Sequence, residues 1–131
     1  MEIVFKTRNA IAPLFATAFA FLTAAAAPAD TSLVMAEEAG CMWCARWNAE
    51  VAPEYPKTAE GRAAPLRRID KTAPVPDDLT LDGPVRFTPT FILVRDGQEI
   101  DRIEGYPGED FFWPLLQRML MESGIEYDAA G

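Results

Sequence analysis

The sequence contains no histidine, and that absence removes several chemistries at once. A cysteine hydrolase would lack its usual general base. Covalent haem attachment needs a histidine directly after a Cys-x-x-Cys pair, and here Ala45 follows Cys44. A structural zinc site normally takes four cysteine or histidine ligands. Cys41 and Cys44 are the only cysteines, so four thiolates would require two chains sharing one ion, and no metal is expected. Basic residues are also scarce. Lys and Arg number 12 against 20 Asp and Glu, a net charge of −8. Such a chain is not built to grip phosphate backbones, so nucleic acid is not an expected partner. Repeats and low-complexity tracts are missing beyond the N-terminal segment.

One long apolar run is present, near the N-terminus. Residues 11–27 are almost wholly apolar, interrupted by Pro13, Thr17 and Thr23, and Lys6 and Arg8 precede them. Ala27-Pro28-Ala29 fits the small-x-small rule for cleavage, so residues 1–29 have the layout of a secretory signal peptide. The alternative is an uncleaved anchor. The stretch after Pro13 is shorter than the ~20 residues of a spanning helix, and it is alanine-rich, which favours a leader. Cleavage after Ala29 leaves residues 30–131 as one domain that does not span a membrane; cleavage after Ala26 is the variant. The leader carries Glu2, Lys6 and Arg8, so losing its net +1 takes −8 to −9.

Export changes what the cysteines mean, because oxidising compartments favour disulfides. A bridge between residues 41 and 44 closes a very small loop, however, and restricts the unfolded chain little. A purely structural bridge is a poor explanation for the pair.

Around the pair, the chain reads as alternating elements. Leu33-Val34-Met35 within residues 32–36 predicts the first strand. Glu37-Glu38-Ala39-Gly40 is a loop in which Gly40 allows a sharp turn into a helix. Cys44, Trp47 and Val51 share one helical face, with Trp47 filling the core, and Pro53 and Pro56 end that helix. Residues 57–64 read as a loop and 66–70 as a second strand. Residues 71–84, with three prolines, read as irregular with one helical turn near 76–79. Residues 87–95 carry the strongest strand signal, and Phe91-Ile92-Leu93-Val94 suggests a strand covered on both faces. Asp96-Gly97 is a hairpin turn. Residues 99–104 are its partner strand, with a bulge or an edge position indicated by Ile100 and Ile103. Gly105-Tyr106-Pro107-Gly108 breaks the chain. A helix follows, with Glu109 and Asp110 at its N-terminus, and Pro114 costs little if it lies in the first turn. Phe111, Phe112, Leu115, Leu116, Met119 and Leu120 form an apolar stripe on it, and Gly124 ends it. This order predicts an α/β domain, a mixed central sheet with helices on both faces.

Disulfide exchange needs a thiolate that attacks a substrate sulfur and a second thiol that resolves the mixed disulfide. A helix N-terminus favours the thiolate. The spacing puts Cys41 at the helix opening, exposed and attacking, and Cys44 one turn in, buried and resolving. Met42 and Trp43 should present an apolar surface around the sulfur. Neither is charged, so the pair itself sets no direction of electron flow. Pro89 precedes the strongest strand. A cis proline there would leave backbone groups free to pair with an incoming peptide; an ordinary strand-start proline is what local sequence favours.

Cys41-Met42-Trp43-Cys44 at a helix head, Thr88-Pro89 before a strand, the Asp96-Gly97 hairpin and Gly105-Tyr106 before a final amphipathic helix occur in the order of the thioredoxin superfamily. The chain resembles that family over nearly all of residues 32–124. The resemblance implies a thioredoxin-like fold and a redox disulfide between Cys41 and Cys44. It also implies a cis Pro89 facing the cysteines, substrate contacts at Trp43, Thr88 and Pro89, and no cofactor. Residues 37–47, Pro-Glu-Tyr-Pro-Lys-Thr at 53–58 and Phe-Thr-Pro-Thr-Phe at 87–91 are most similar to the exported thioredoxin-like proteins of bacterial sulfur-oxidation operons, the SoxS type. That likeness implies a periplasmic reductase of a disulfide-bearing protein, the sulfur-carrier protein of the thiosulfate-oxidising complex, with a membrane thiol transporter as electron donor. A periplasmic thiol oxidant, a cytochrome-maturation reductase and a non-enzymatic thiol-dependent regulator are the alternatives. The chain departs from ordinary thioredoxins in three ways. Its tryptophan lies between the cysteines, Gly-Pro is absent there, and no acid occurs in Leu33-Val34-Met35. Glu37 or Glu38 is then either an aid to proton transfer from Cys44 or a solvated loop acid.

Overall fold

The structure, a computed structural model, describes Ile3 and residues 29–128. The leader expected at residues 1–29 therefore lies, but for Ile3 and Ala29, outside the described residues. No helix among the described residues is long and apolar enough to cross a membrane.

Four strands form one mixed sheet in the order β2-β1-β3-β4, with β1 Thr31–Glu37, β2 Leu66–Asp70, β3 Thr90–Arg95 and β4 Gln98–Glu104. β1 pairs parallel with β2 and antiparallel with β3, and β3 pairs antiparallel with β4. The parallel pair needs a crossover, which α1 (Met42–Glu50), a 3-10 turn at Tyr55–Lys57 and α2 (Ala59–Ala63) supply. α3 (Glu109–Glu122) closes the domain.

Period-two alternation sends neighbouring residues of the central strands to opposite faces. Leu33, Met35, Phe91 and Leu93 join the larger core with Trp47, Val51, Tyr55, Phe112, Leu116 and Leu120. Trp47 is fully buried, its ring centre 5.2 Å from Phe91 and 5.8 Å from Phe112. Val34, Ile92 and Val94 belong to a second core with Leu79, against which Ile69, Leu81 and Val85 pack. The continuous apolar run of β3 is thus buried on both faces, as expected.

The helices of the described residues share one face, and this corrects the expectation of helices on both. The opposite face is covered by the irregular segment between β2 and β3. Pro74, Pro76 and Pro84 remove N–H donors there and keep it out of a helix. It lies along the hairpin instead. Thr80 N–H donates to the Gly97 carbonyl at 2.7 Å, and Glu99 N–H donates to the Thr80 carbonyl at 2.9 Å. The helical turn expected near 76–79 is a simple turn, with Leu79 N–H bonded to the Pro76 carbonyl.

Other local differences have equally local causes. The expected loop at 57–64 contains α2, because the Thr58 hydroxyl caps it by accepting from Gly61 N–H at 3.0 Å. Pro114 sits inside α3 rather than in its first turn. Phe111 is 64% exposed, so the buried stripe is Phe112, Leu116, Met119 and Leu120. The hairpin turn is as expected: Asp96 and Gly97 both take positive φ, 51° and 80°, which suits a two-residue turn. So is the bulge, since Leu93 faces Asp101 while Val94 faces Glu99, leaving Ile100 unpaired.

Candidate active site

The loop after β1 turns through Gly40, whose φ of 79° is disfavoured for a side chain bearing Cβ. Cys41 N–H donates to the Glu38 carbonyl at 3.3 Å, which closes the turn. Cys41 is the N-cap of α1, in extended conformation, and its Sγ accepts from Cys44 N–H at 3.0 Å. The two sulfurs form a disulfide, with the Cα atoms 5.2 Å apart. Cys44 lies on the inward face with Trp47 and is 3% exposed, whereas Cys41 is only half-buried. Met42 is 72% and Trp43 46% exposed. The inequality between the sulfurs is therefore geometric: the cap residue faces out, and the residue one turn on faces the core.

A second loop meets this one. The Thr88–Pro89 peptide bond is cis. The Thr88 hydroxyl donates to Glu38 Oε1 at 2.8 Å. Lys71 Nζ lies 3.7 Å from the same oxygen and donates to the Arg86 carbonyl at 3.3 Å. Gly105 N–H donates to the Pro89 carbonyl at 2.8 Å. Trp43, Phe87, Thr88, Glu104, Gly105 and Tyr106 line a groove of about 340 Å³. The fold thus brings two of the sequence-derived site residues, Trp43 and Thr88, to one groove. Pro89 does not line it. Neither loop acid is free: Glu38 holds Thr88, and Glu37 accepts from Arg68 at 2.8 Å.

Sequence reasoning missed Tyr106, Glu50 and Arg46. Tyr106 is 5% exposed and its hydroxyl donates to Glu50 Oε2 at 2.5 Å. Arg46 Nε donates to Glu50 Oε1 at 2.8 Å. Hydrogen bonds from Arg46 and then Tyr106 hold the Glu50 carboxyl below the usual glutamate range. Burial, then the Glu50 hydrogen bond, pushes the Tyr106 phenol well up. The i,i+4 spacing of Arg46 and Glu50 was the one available signal. Nothing local ties Tyr106 to α1. No group of three or more Cys, Asp or Glu among the described residues is placed to hold a metal ion.

An outward sulfur bonded to an inward one at a helix start, beside a groove with aromatic walls, suits thiol–disulfide exchange. Comparison with known proteins agrees. Residues 20–120 match the family model described as a thioredoxin-like domain. The chain is similar to the crystal structure of the periplasmic thioredoxin SoxS from Paracoccus pantotrophus in its reduced form. The two share 54% sequence identity with a TM-score of 0.70, over 71% of this chain and 98% of that one. No curated protein matches the chain.

Proposed function

The chain belongs to the thioredoxin-like family and is a thiol–disulfide oxidoreductase, and from that premise we propose that it is a periplasmic reductant of a disulfide-bearing protein, the sulfur carrier of a thiosulfate-oxidising complex. The observation that carries the reading is the pairing of a half-exposed Cys41 at the N-cap with a buried Cys44. In the dithiol form, the Cys41 thiolate attacks one sulfur of the substrate disulfide. A Cys41–substrate mixed disulfide forms, and the other substrate sulfur leaves as a thiolate and takes a proton. Cys44, deprotonated, then attacks Cys41 Sγ. The Cys41–Cys44 disulfide forms and the second substrate sulfur departs. Two electrons have passed to the substrate, and the dithiol has become the disulfide. A membrane thiol transporter returns the electrons. Trp43, Thr88 and Pro89 contact the substrate chain, with Trp43 and Thr88 on the walls of the groove. The resemblance to sulfur-oxidation thioredoxins favours reduction over oxidation.

Residues 1–29 are a leader removed on export, leaving residues 30–131. The start of β1 supports this boundary. Asp30 N–H donates to Asp96 Oδ1 at 2.8 Å and Asp96 N–H donates back to the Asp30 carbonyl at 2.7 Å, so the first residue after the proposed cut is already tied to the hairpin turn of the domain.

The test is trapping in periplasmic extract. Cys44→Ser protein should accumulate dithiothreitol-sensitive mixed disulfides on Cys41, and the carrier should be identified among them by mass spectrometry. Cys41→Ser should trap nothing. Trapping by Cys41→Ser alone would overturn the role assignment, and trapping without the carrier would overturn the substrate.

A further inference from the structure

The Tyr106 ring is anchored in the core, its centre 6.2 Å from that of Phe112. Its hydroxyl leaves the core and reaches α1, where Glu50 accepts it. The other Glu50 oxygen accepts from Arg46, and the Arg46 guanidinium carbon lies 5.7 Å from the centre of the Trp43 ring. The contacts run in one line from the core to Tyr106, Glu50, Arg46 and Trp43. The two ends of the line, Tyr106 and Trp43, meet again as walls of one groove.

Each link restrains the next. A half-exposed tryptophan on the first turn of a helix would sample several rotamers, and a docking peptide would have to select one at an entropic cost. Arg46, with its side chain 51% exposed, could not hold the indole unless it were itself held. Glu50 holds it from one turn further along α1, and the buried Tyr106 ring fixes Glu50. Glu50 stays a carboxylate and Tyr106 a phenol through the neutral range, so the line persists there.

We propose that Arg46, Glu50 and Tyr106 are positioning residues that hold Trp43 as a fixed wall of the groove, and that this wall makes the enzyme prefer disulfides carried on extended polypeptide to small free disulfides. The inference rests on the reading that Cys41 attacks while Trp43 touches the substrate chain.

The experiment compares reduction of insulin, whose disulfides lie on peptide chains, with reduction of bis(2-hydroxyethyl) disulfide, a small neutral substrate. Glu50→Ala should raise KM for insulin about two- to fivefold, the worth of an exposed cation–π contact, with kcat unchanged. Its kcat/KM for the small disulfide should not move. In 15N-labelled protein the Trp43 indole N–H resonance should shift. Arg46→Ala should act like Glu50→Ala, and Arg46→Lys should recover part of the loss. Trp43→Ala should raise KM for insulin similarly, and adding Glu50→Ala to it should change nothing more, because the two act through one contact. The proposal is overturned if Glu50→Ala leaves insulin KM unchanged, if it slows both substrates equally, or if the two single effects add. Unchanged insulin kinetics in Trp43→Ala would instead remove the groove reading beneath it, and this proposal with it.

Discussion

Arg102 staples the irregular segment to the second face of the sheet, and its loss should be the costliest single change outside the main core. Its Nε and Nη2 donate to the two oxygens of Glu99 at 2.5 and 2.7 Å. Nη2 and Nη1 also reach the Gly83 and Pro84 carbonyls, each at 3.2 Å. The Glu99 side chain is 3% exposed and also accepts from Asp82 N–H at 2.8 Å. Arg102→Met would leave a buried carboxylate with one backbone donor. Removing one partner of a buried pair costs roughly 3–5 kcal/mol. The Arg102 side chain is 18% exposed, so water can enter its place, and we expect the lower end, about 3 kcal/mol. In a domain of this size, that lowers the melting temperature by roughly 12–24 °C. The double variant Glu99→Leu/Arg102→Met leaves no orphan charge and should recover all but ~1 kcal/mol. Burial works to raise the Glu99 pKa, but Arg102 and the Asp82 N–H outweigh it and hold the carboxyl below its ordinary 4.5. A lowered folded pKa contributes stability that is fully present above 4.5 and is lost as pH falls through the folded value. The deficit of Arg102→Met should therefore be largest at neutral pH and shrink in acid. Urea denaturation followed by far-ultraviolet circular dichroism between pH 7 and about pH 3.5 measures all of this, spanning the range in which a lowered glutamate titrates. A single-variant cost under about 1 kcal/mol at neutral pH, or a double variant no more stable than the single, would refute the reasoning.

Two further predictions concern positions near the site and its support. A Cβ at residue 61 would overlap the Tyr55 carbonyl oxygen, so Gly61→Ala should destabilise by roughly 1–3 kcal/mol, against the ~1 kcal/mol gain usual for this change within a helix. A raised urea midpoint in Gly61→Ala would contradict it. Glu38→Ala frees the Thr88 hydroxyl and Lys71. It should raise KM for insulin a few-fold while costing ~1 kcal/mol or less of stability, since Glu38 and Lys71 are partly exposed. Kinetics indistinguishable from the parent would show that Glu38 does not support the second loop.

Much of the site was legible because its signals are local. The capping position of Cys41, the inward turn of Cys44 and the exposure of Met42 and Trp43 all follow from helical geometry over a few residues. The hairpin at Asp96-Gly97 and the bulge at Ile100 were equally readable, since turn chemistry and alternation act within one pair of strands. The short helix α2 was missed because its cap, Thr58, sits among residues that otherwise resemble a loop. The start of α3 was legible from Glu109 and Asp110, and counting from it places Pro114 beyond the first turn, where its missing N–H leaves an intrahelical acceptor unpaired.

By itself the sequence determined the chemistry available: two thiols at a helix start, with no histidine or further cysteine to divert them to metal, haem or hydrolysis. It also determined which strand is buried on both faces. What covers the second face was decided in three dimensions. The apolar run of β3 demands a cover, but it does not say whether a helix or an extended segment provides it; proline in the chain between β2 and β3, together with the Arg102–Glu99 staple, settled that. Tertiary structure alone decided that Trp43 and Thr88 line one groove and that Tyr106 reaches Glu50. Those pairs are distant along the chain, and a contact that depends on how two elements pack leaves no periodicity or spacing in either one.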